Sequence, residues 1–92
     1  MRRLTQGLPG ALAALLRDVP LSNGKVDFAW KAAVGKGLER VTAVRLEDRV
    51  LLVDVPDRIW AREITRSADI ILTRLQTLLG HDTVNEIRVR KP

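Results

Sequence analysis

The sequence predicts a small α+β domain in which helices cover one face of a three-stranded mixed sheet. Three observations lead to this fold class. Apolar residues recur at helical spacing in the first 41 residues, two β-rich runs then meet at a short turn, and a long helical pattern leads to a last β-rich run. The predicted order is α-α-β-β-α-β. A chain of 92 residues allows one domain with a modest core, so we expect a single domain over residues 1–92.

The N-terminal part predicts two helices. The first helix, with the turn that follows it, occupies residues 1–24, and the second helix comes after this turn. Pro20 ends the first pattern, which consists of Leu8, Leu12, Leu15, Leu16 and Val19. The second pattern consists of Val26, Trp30, Ala33, Val34, Gly37, Leu38 and Val41, with Lys31, Lys36, Glu39 and Arg40 on its other side. Gly35 and Gly37 each weaken a helix by about 1 kcal/mol relative to alanine. We therefore expect them to allow close packing or to end this helix early.

The runs "TAVRLE" and "RVLLVDV" predict a β-hairpin that turns at residues 47–49. The first run alternates, with Val44 and Leu46 on one face. The second run is apolar on both faces, because Val50 and Leu52 lie opposite Leu51, Val53 and Val55. This pattern predicts a strand covered on both faces over part of its length. Either another element of the chain or a partner would cover Val50 and Leu52, which makes these two residues candidates for a partner interface.

Pro56 and Asp57 predict the start of one long helix that runs to Leu79, with Gly80 as its stop. The predicted apolar stripe consists of Trp60, Ile64, Ala68, Ile71, Leu75 and Leu78, and the opposite side carries Arg58, Arg62, Arg66 and Asp69. Trp60 should therefore point into the core and away from a nucleic acid. The run "VNEIRVRK" predicts a last strand, parallel to the second and reached by a right-handed crossover.

The composition argues against enzymes and metalloproteins. The chain has no cysteine and one histidine, His81, and its serines and carboxylates show no pattern typical of a catalytic site. "VGKGLER" lacks the spacing of a phosphate-binding loop. We expect no enzymatic activity, no cofactor and no metal. No apolar run approaches a membrane span, and the basic start is read as an amphipathic helix rather than a signal peptide.

The charge favours a polyanionic partner. The net charge is +5, from 16 Lys and Arg against 11 Asp and Glu. The first candidates for contacts to the phosphates of a nucleic acid are Lys31, Lys36, Arg40, Arg88, Arg90 and Lys91. The secondary candidates are Arg45 and the arginine row Arg58, Arg62 and Arg66, for which a solvated helix face is the simpler interpretation.

An ordered set of motifs resembles the DciA-like family of bacterial proteins, once classed as a domain of unknown function. The set spans about residues 27–91 and comprises Trp30, Val34-Gly35, the hairpin with its apolar second strand, Trp60-Ala61, Glu63-Ile64, Leu78-Leu79-Gly80 and a basic last strand. The resemblance implies a type II KH-like domain that binds DNA and assists the loading or operation of the replicative helicase without nucleotide hydrolysis. It also implies a cytoplasmic, nucleoid-associated location. Many KH domains hold nucleic acid with a Gly-x-x-Gly loop, and this sequence has none.

Two alternatives remain open on the sequence. One is a protein-interaction module that uses the apolar second strand for a partner or for a homo-oligomer. The other is an RNA-binding KH-like protein in translation. No membrane partner is expected.

Overall fold

The computed structural model of the chain describes residues 14–16 and 18–90. Residues 14–16 and 18 are helical. The elements that follow are α1 (Asn23–Val41), β1 (Ala43–Glu47), β2 (Val50–Asp54), α2 (Arg58–Arg66), α3 (Ala68–Leu79) and β3 (Glu86–Arg90). The predicted α+β class is confirmed, and the interleaved helices and strands agree with a small KH-like domain. Leu8, Leu12 and Lys91 lie outside the described residues.

The three strands form a mixed sheet in the order β1-β2-β3. β1 and β2 pair antiparallel around the two-residue turn Asp48-Arg49, and β3 runs parallel to β2, as predicted. Both turn residues have positive φ, 50° and 68°. This geometry matches the twist of the flanking strands, although glycine or asparagine usually occupies such positions.

The helices cover one face of the sheet, as predicted. Leu51 and Val53 on that face are fully buried. The helices contribute the largest buried side chains, which are Trp30, Ile64, Leu75 and Leu78. The polar side chains of the other face are exposed, so no described element covers them. We call this the open face; it consists of Ala43, Arg45, Glu47, Val50, Leu52, Asp54, Glu86, Arg88 and Arg90.

The predicted single helix over residues 57–79 is wrong, because it breaks at Ser67. Its predicted ends are confirmed: Asp57 accepts hydrogen bonds from the N–H groups of Ile59 and Trp60, and Gly80 ends α3 with φ 105°. Ser67 has φ −103° and ψ 10°, and its N–H group is shared between the carbonyls of Glu63 and Ile64 at 3.3 and 3.1 Å. The apolar stripe nevertheless continues across the break, since Ile64, Ile71, Leu75 and Leu78 are all buried.

The second predicted helix is interrupted at Gly35, which has φ 86° and ψ 171°. No atom lies within 4 Å of the position that a Cβ would take at Gly35 or Gly37, so the expectation of close packing is wrong. Gly35 instead supplies a left-handed conformation that other residues rarely adopt. The chain resumes helical geometry after it, and Val41 ends up exposed rather than on an apolar side.

Hydrogen bonds tie the two ends of α1 to their surroundings. Ser22 caps the N-terminus by accepting from the N–H of Lys25 at 3.1 Å. The Lys25 ammonium is buried and donates to the carbonyl of Val19 at 2.6 Å. At the other end, the indole of Trp30 donates to Thr42 Oγ1, which donates to the carbonyl of Leu38, both at 2.8 Å. These contacts fix the kinked helix between the N-terminal segment and β1.

Within the part of the chain that the structure describes, no helix is long and apolar enough to cross a membrane.

Candidate nucleic-acid interface

Helix α2 separates its apolar and basic residues cleanly. Asp57 caps the start of the helix. Since each residue of a helix turns by 100°, Ile64 points into the core, where it is fully buried. Trp60 is half-buried and packs against the core cluster, which confirms that it points away from solvent. Arg58, Arg62 and Arg66 are exposed on the other side. Because these arginines are four residues apart, their Cα atoms rise along the helix in steps of about 6 Å.

The three arginines line a groove of about 540 Å³ between α2 and β3. We call it the arginine groove; its lining consists of Arg58, Ala61, Arg62, Thr65, Arg66 and Val89. Arg66 lies 3.8 Å from the carboxylate of Glu63, while Arg58 and Arg62 form no ion pair with any described residue. The arginine row is evident in the sequence but the groove is not, since its second wall comes from Val89, 23 residues beyond Arg66 in the chain.

The arginines of the open face are arranged differently, because each lies beside a carboxylate. Arg45 Nε is 2.8 Å from Glu47, and Arg88 Nη2 is 3.0 Å from Glu86. The strand register places Arg90 opposite Asp54, and two hydrogen bonds of 2.8 and 3.1 Å join them. The hydrogen bonds to Asp54, and then its charge, raise the pKa of the Arg90 guanidinium. The local charge of this face is thereby largely balanced.

The bases of α1 do not form one helical row. Lys31, Lys36 and Arg40 are all exposed, but the non-helical Gly35 lies between the first and the other two. Helix α1 belongs to the covered side of the sheet, whereas Arg88 lies on the open face. The first candidates therefore fall into two sets on different sides of the sheet. Lys31, Lys36 and Arg40 lie on the helix side, and Arg88 and Arg90 lie on the open face.

Val50 and Leu52 form the apolar centre of the open face and are half-buried. Register places Val50 between Glu47 and Glu86, and places Leu52 between Arg45 and Arg88. The expectation that another element covers these residues is wrong for the described part of the chain. That a partner covers Val50 and Leu52 stays a prediction.

A smaller cavity of about 240 Å³ lies where the two helix breaks meet. Its lining includes Val34 and Leu38 from α1, and Ile70 and Ile71 from α3. Arg74, at its wall, donates to the carbonyl of Ala33 at 2.9 Å. This arginine thus holds α3 against the kink of α1, and the largely apolar lining offers little to a polyanion.

No three His, Asp or Glu side chains among the described residues come together as a metal site. His81 is exposed in the turn that follows Gly80.

Comparison with known proteins identifies the family. A family model described as "Dna[CI] antecedent, DciA" matches residues 3–89, which is nearly the whole chain. No curated protein matches the chain significantly. The family is associated with loading of the replicative helicase, so the match supports a role beside that enzyme. On this match, and on a fold that agrees with it, the chain belongs to the DciA family.

Proposed function

We propose that the protein is a non-enzymatic DNA-binding module that assists the loading or operation of the bacterial replicative helicase at the nucleoid. The DNA backbone lies in the arginine groove. The observation that carries this assignment is the row Arg58, Arg62 and Arg66 in one groove, with two of the three side chains lacking a carboxylate partner among the described residues. Membership of the DciA family supports the link to the helicase.

The chemistry of the groove suits phosphate rather than bases. Guanidinium groups bind phosphate oxygens through paired hydrogen bonds, and they stay charged at any physiological pH. Stacking of bases needs exposed aromatic rings. Trp30 is buried, Trp60 is half-buried, and the exposed Phe28 lies on α1 rather than at the groove. Binding should therefore depend weakly on sequence and strongly on salt.

This proposal places the arginine groove ahead of the other basic sets. The ranking reverses the one drawn from the sequence for two reasons. Arg88 and Arg90 carry their own carboxylates on the open face, and the non-helical Gly35 separates Lys31 from Lys36 and Arg40 on α1. A phosphate approaching the open face would meet Glu86 and Asp54 along with the arginines. Among the described residues, Arg66 is the only arginine of the groove with a carboxylate partner, and that partner, Glu63, is 3.8 Å away.

Three variants with equal loss of charge test the proposal. Fluorescence anisotropy would measure binding to labelled single-stranded and double-stranded DNA of equal length at about 0.1 M salt. Arg58→Gln/Arg62→Gln/Arg66→Gln should weaken binding at least about tenfold. The matched set Arg45→Gln/Arg88→Gln/Arg90→Gln, and a third set at Lys31, Lys36 and Arg40, should each weaken it less. A larger loss in either of the other two sets would move the DNA surface there. Matched RNA that binds more tightly than DNA would favour the RNA-binding alternative.

The helicase role needs its own measurement. Size-exclusion chromatography of the protein with the replicative helicase of the same bacterium should show a complex, and the arginine-groove variant should retain it. Absence of any complex, with DNA binding intact, would remove the helicase from the proposal.

A second candidate function is a protein interface on the open face. It rests on Val50 and Leu52, two apolar side chains that no described element covers. Leu52→Glu should then abolish the helicase complex or self-association while DNA affinity is kept. An unchanged complex and an unchanged sedimentation coefficient would dismiss this interface.

A further inference from the structure

Strand β3 lies at the edge of the sheet and leaves one side of its backbone free. The carbonyl of Arg90 accepts a hydrogen bond from the N–H of Val55 at 3.2 Å, so the backbone of Arg90 faces β2. Backbone groups alternate along a strand, which points the N–H and C=O groups of Ile87 and Val89 to the free edge. Among the described residues, no backbone group pairs with them.

The arginine groove runs beside this free edge. Val89 belongs to its lining, and α2 packs against β3. Proteins commonly protect an exposed strand edge with charges that point inward, with proline or with a covering element. The charged side chains of β3 point to the open face instead, and Ile87 and Val89 point toward the helices. Among the described residues, no element therefore covers this edge, and it is open to an additional strand next to the arginine groove.

We propose that the free edge of β3 binds an extended acidic peptide as a fourth strand. The carboxylates of this peptide form ion pairs with Arg58, Arg62 and Arg66. The spacing of the two partners agrees: side chains on one face of a strand repeat every 6.7 Å or so, and the arginines of α2 repeat about every 6 Å. Acidic residues at alternate positions of an added strand thus repeat at nearly the same distance as the three arginines. Strand addition supplies the backbone hydrogen bonds, and the charges select the peptide.

Charge decides which chain can occupy the edge. A second copy of this protein, added edge to edge, would bring two arginine rows side by side, and like charges at such distances repel. A basic or neutral strand gains nothing from the groove. DNA fills the groove with phosphates but has no peptide backbone to pair with Ile87 and Val89. The free backbone groups and the arginines together therefore select an acidic polypeptide.

Peptide and DNA then exclude each other from the arginine groove, a consequence that rests on the DNA-binding function proposed above. An acidic segment of a partner protein would release DNA from this surface. The coupling would be reciprocal, so that DNA also weakens binding of the peptide.

The direct test uses a fluorescein-labelled nine-residue peptide in which glutamate alternates with valine. Anisotropy at low salt should show binding, and Arg62→Gln should weaken it at least about threefold, the loss of one charge-assisted contact. The matched variant Arg49→Gln, at the hairpin turn, should bind as the parent does. Loss of binding in both variants alike, or no binding at all, would overturn the proposal.

N-methylated peptides separate strand addition from simple charge attraction. One peptide carries N-methyl groups on the amides of its odd residues, and the other carries them on its even residues. Only one set can face β3, so one peptide should lose at least tenfold in affinity, while the other keeps it. The amide protons of Ile87 and Val89 should also exchange more slowly when the unmodified peptide is bound. Equal binding of both methylated peptides, with no slowing at Ile87 and Val89, would overturn the proposal.

The peptide assay contains no DNA, so its failure is distinct from failure of the proposed function. If DNA binds and the peptide does not, only the proposal of a fourth strand is overturned. Binding of the peptide without binding of DNA removes the DNA function and leaves the strand addition standing.

Discussion

The open face of the sheet and helix α2 on its other side each carry three arginines and use them in opposite ways. On the open face, Arg45, Arg88 and Arg90 each lie within 3.0 Å of a carboxylate oxygen. Beside the covered face, Arg58 and Arg62 line a groove and have no such partner among the described residues. Arginine content alone therefore does not indicate a polyanion site. The positions of the carboxylates decide it. Alternation within one strand places Glu47 beside Arg45 and Glu86 beside Arg88, and strand register places Asp54 beside Arg90.

The two faces also differ in what they bury. Leu51 and Leu52 are neighbours in β2 and point to opposite sides, yet Leu51 is fully buried and Leu52 is only half-buried. The covered face thus buries more apolar surface than the open face does. The contrast between the two faces leads to three predictions.

The largest effect is expected on stability. Leu51→Ala removes a buried side chain and leaves a cavity, so the free energy of unfolding should fall by about 2–5 kcal/mol. Leu52→Ala should cost less, about 1 kcal/mol, since the Leu52 side chain stays partly exposed to water. Urea denaturation followed by circular dichroism would measure both. Equal losses would show that a further part of the chain covers the open face.

The next effect concerns the salt dependence of DNA binding. Arg62→Gln should reduce the slope of log K against log salt by about 0.7–0.9, the value for one phosphate contact. Arg88→Gln should leave the slope nearly unchanged, because its charge is balanced by Glu86. Anisotropy titrations at four salt concentrations would give both slopes. Equal changes would contradict the distinction between paired and unpaired arginines.

The smallest effect is expected at the hairpin turn. Arg49 has φ 68°, a conformation that glycine adopts at no steric cost. Arg49→Gly should raise the free energy of unfolding by about 0.5–1 kcal/mol. Val53 of β2 pairs with Val89, which lines the arginine groove. Arg49 precedes the other end of β2, so it is distant from the groove. DNA affinity should therefore stay unchanged; a clear loss would extend the DNA surface to the turn.

Local signals in the sequence predicted the boundaries of the fold well. Asp57 and Gly80 mark the two ends of a helical stretch through their own backbone preferences, and the hairpin pattern predicted β1 and β2. The break at Ser67 was not predictable in this way, because the apolar stripe keeps its phase across it. At Gly35 the sequence indicated a weak point in the helix. It did not indicate that helical geometry would resume beyond it.

The candidate site was less predictable than the fold. Helical spacing predicted that Arg58, Arg62 and Arg66 would share a side, but the second wall of the groove depends on how β3 lies against α2. Pairing of Arg90 with Asp54 depends on the register of two parallel strands, which an intervening stretch of 31 residues separates in the chain. Such a distant pairing leaves no local pattern in a single sequence, whereas Arg45 with Glu47 and Arg88 with Glu86 are two residues apart and their pairing was open to prediction.

The hydrogen bonds of Trp30 and Thr42 have a consequence for how the protein opens. Trp30 lies before the kink at Gly35, and Thr42 and Leu38 lie after it, so this chain of two bonds connects both halves of α1. A short helical segment beyond a glycine would otherwise fray on its own. Because the buried indole is bonded to this segment through Thr42, residues 36–41 cannot separate from the first half of α1 without breaking these bonds. We therefore expect the two halves of the helix to unfold as one cooperative unit.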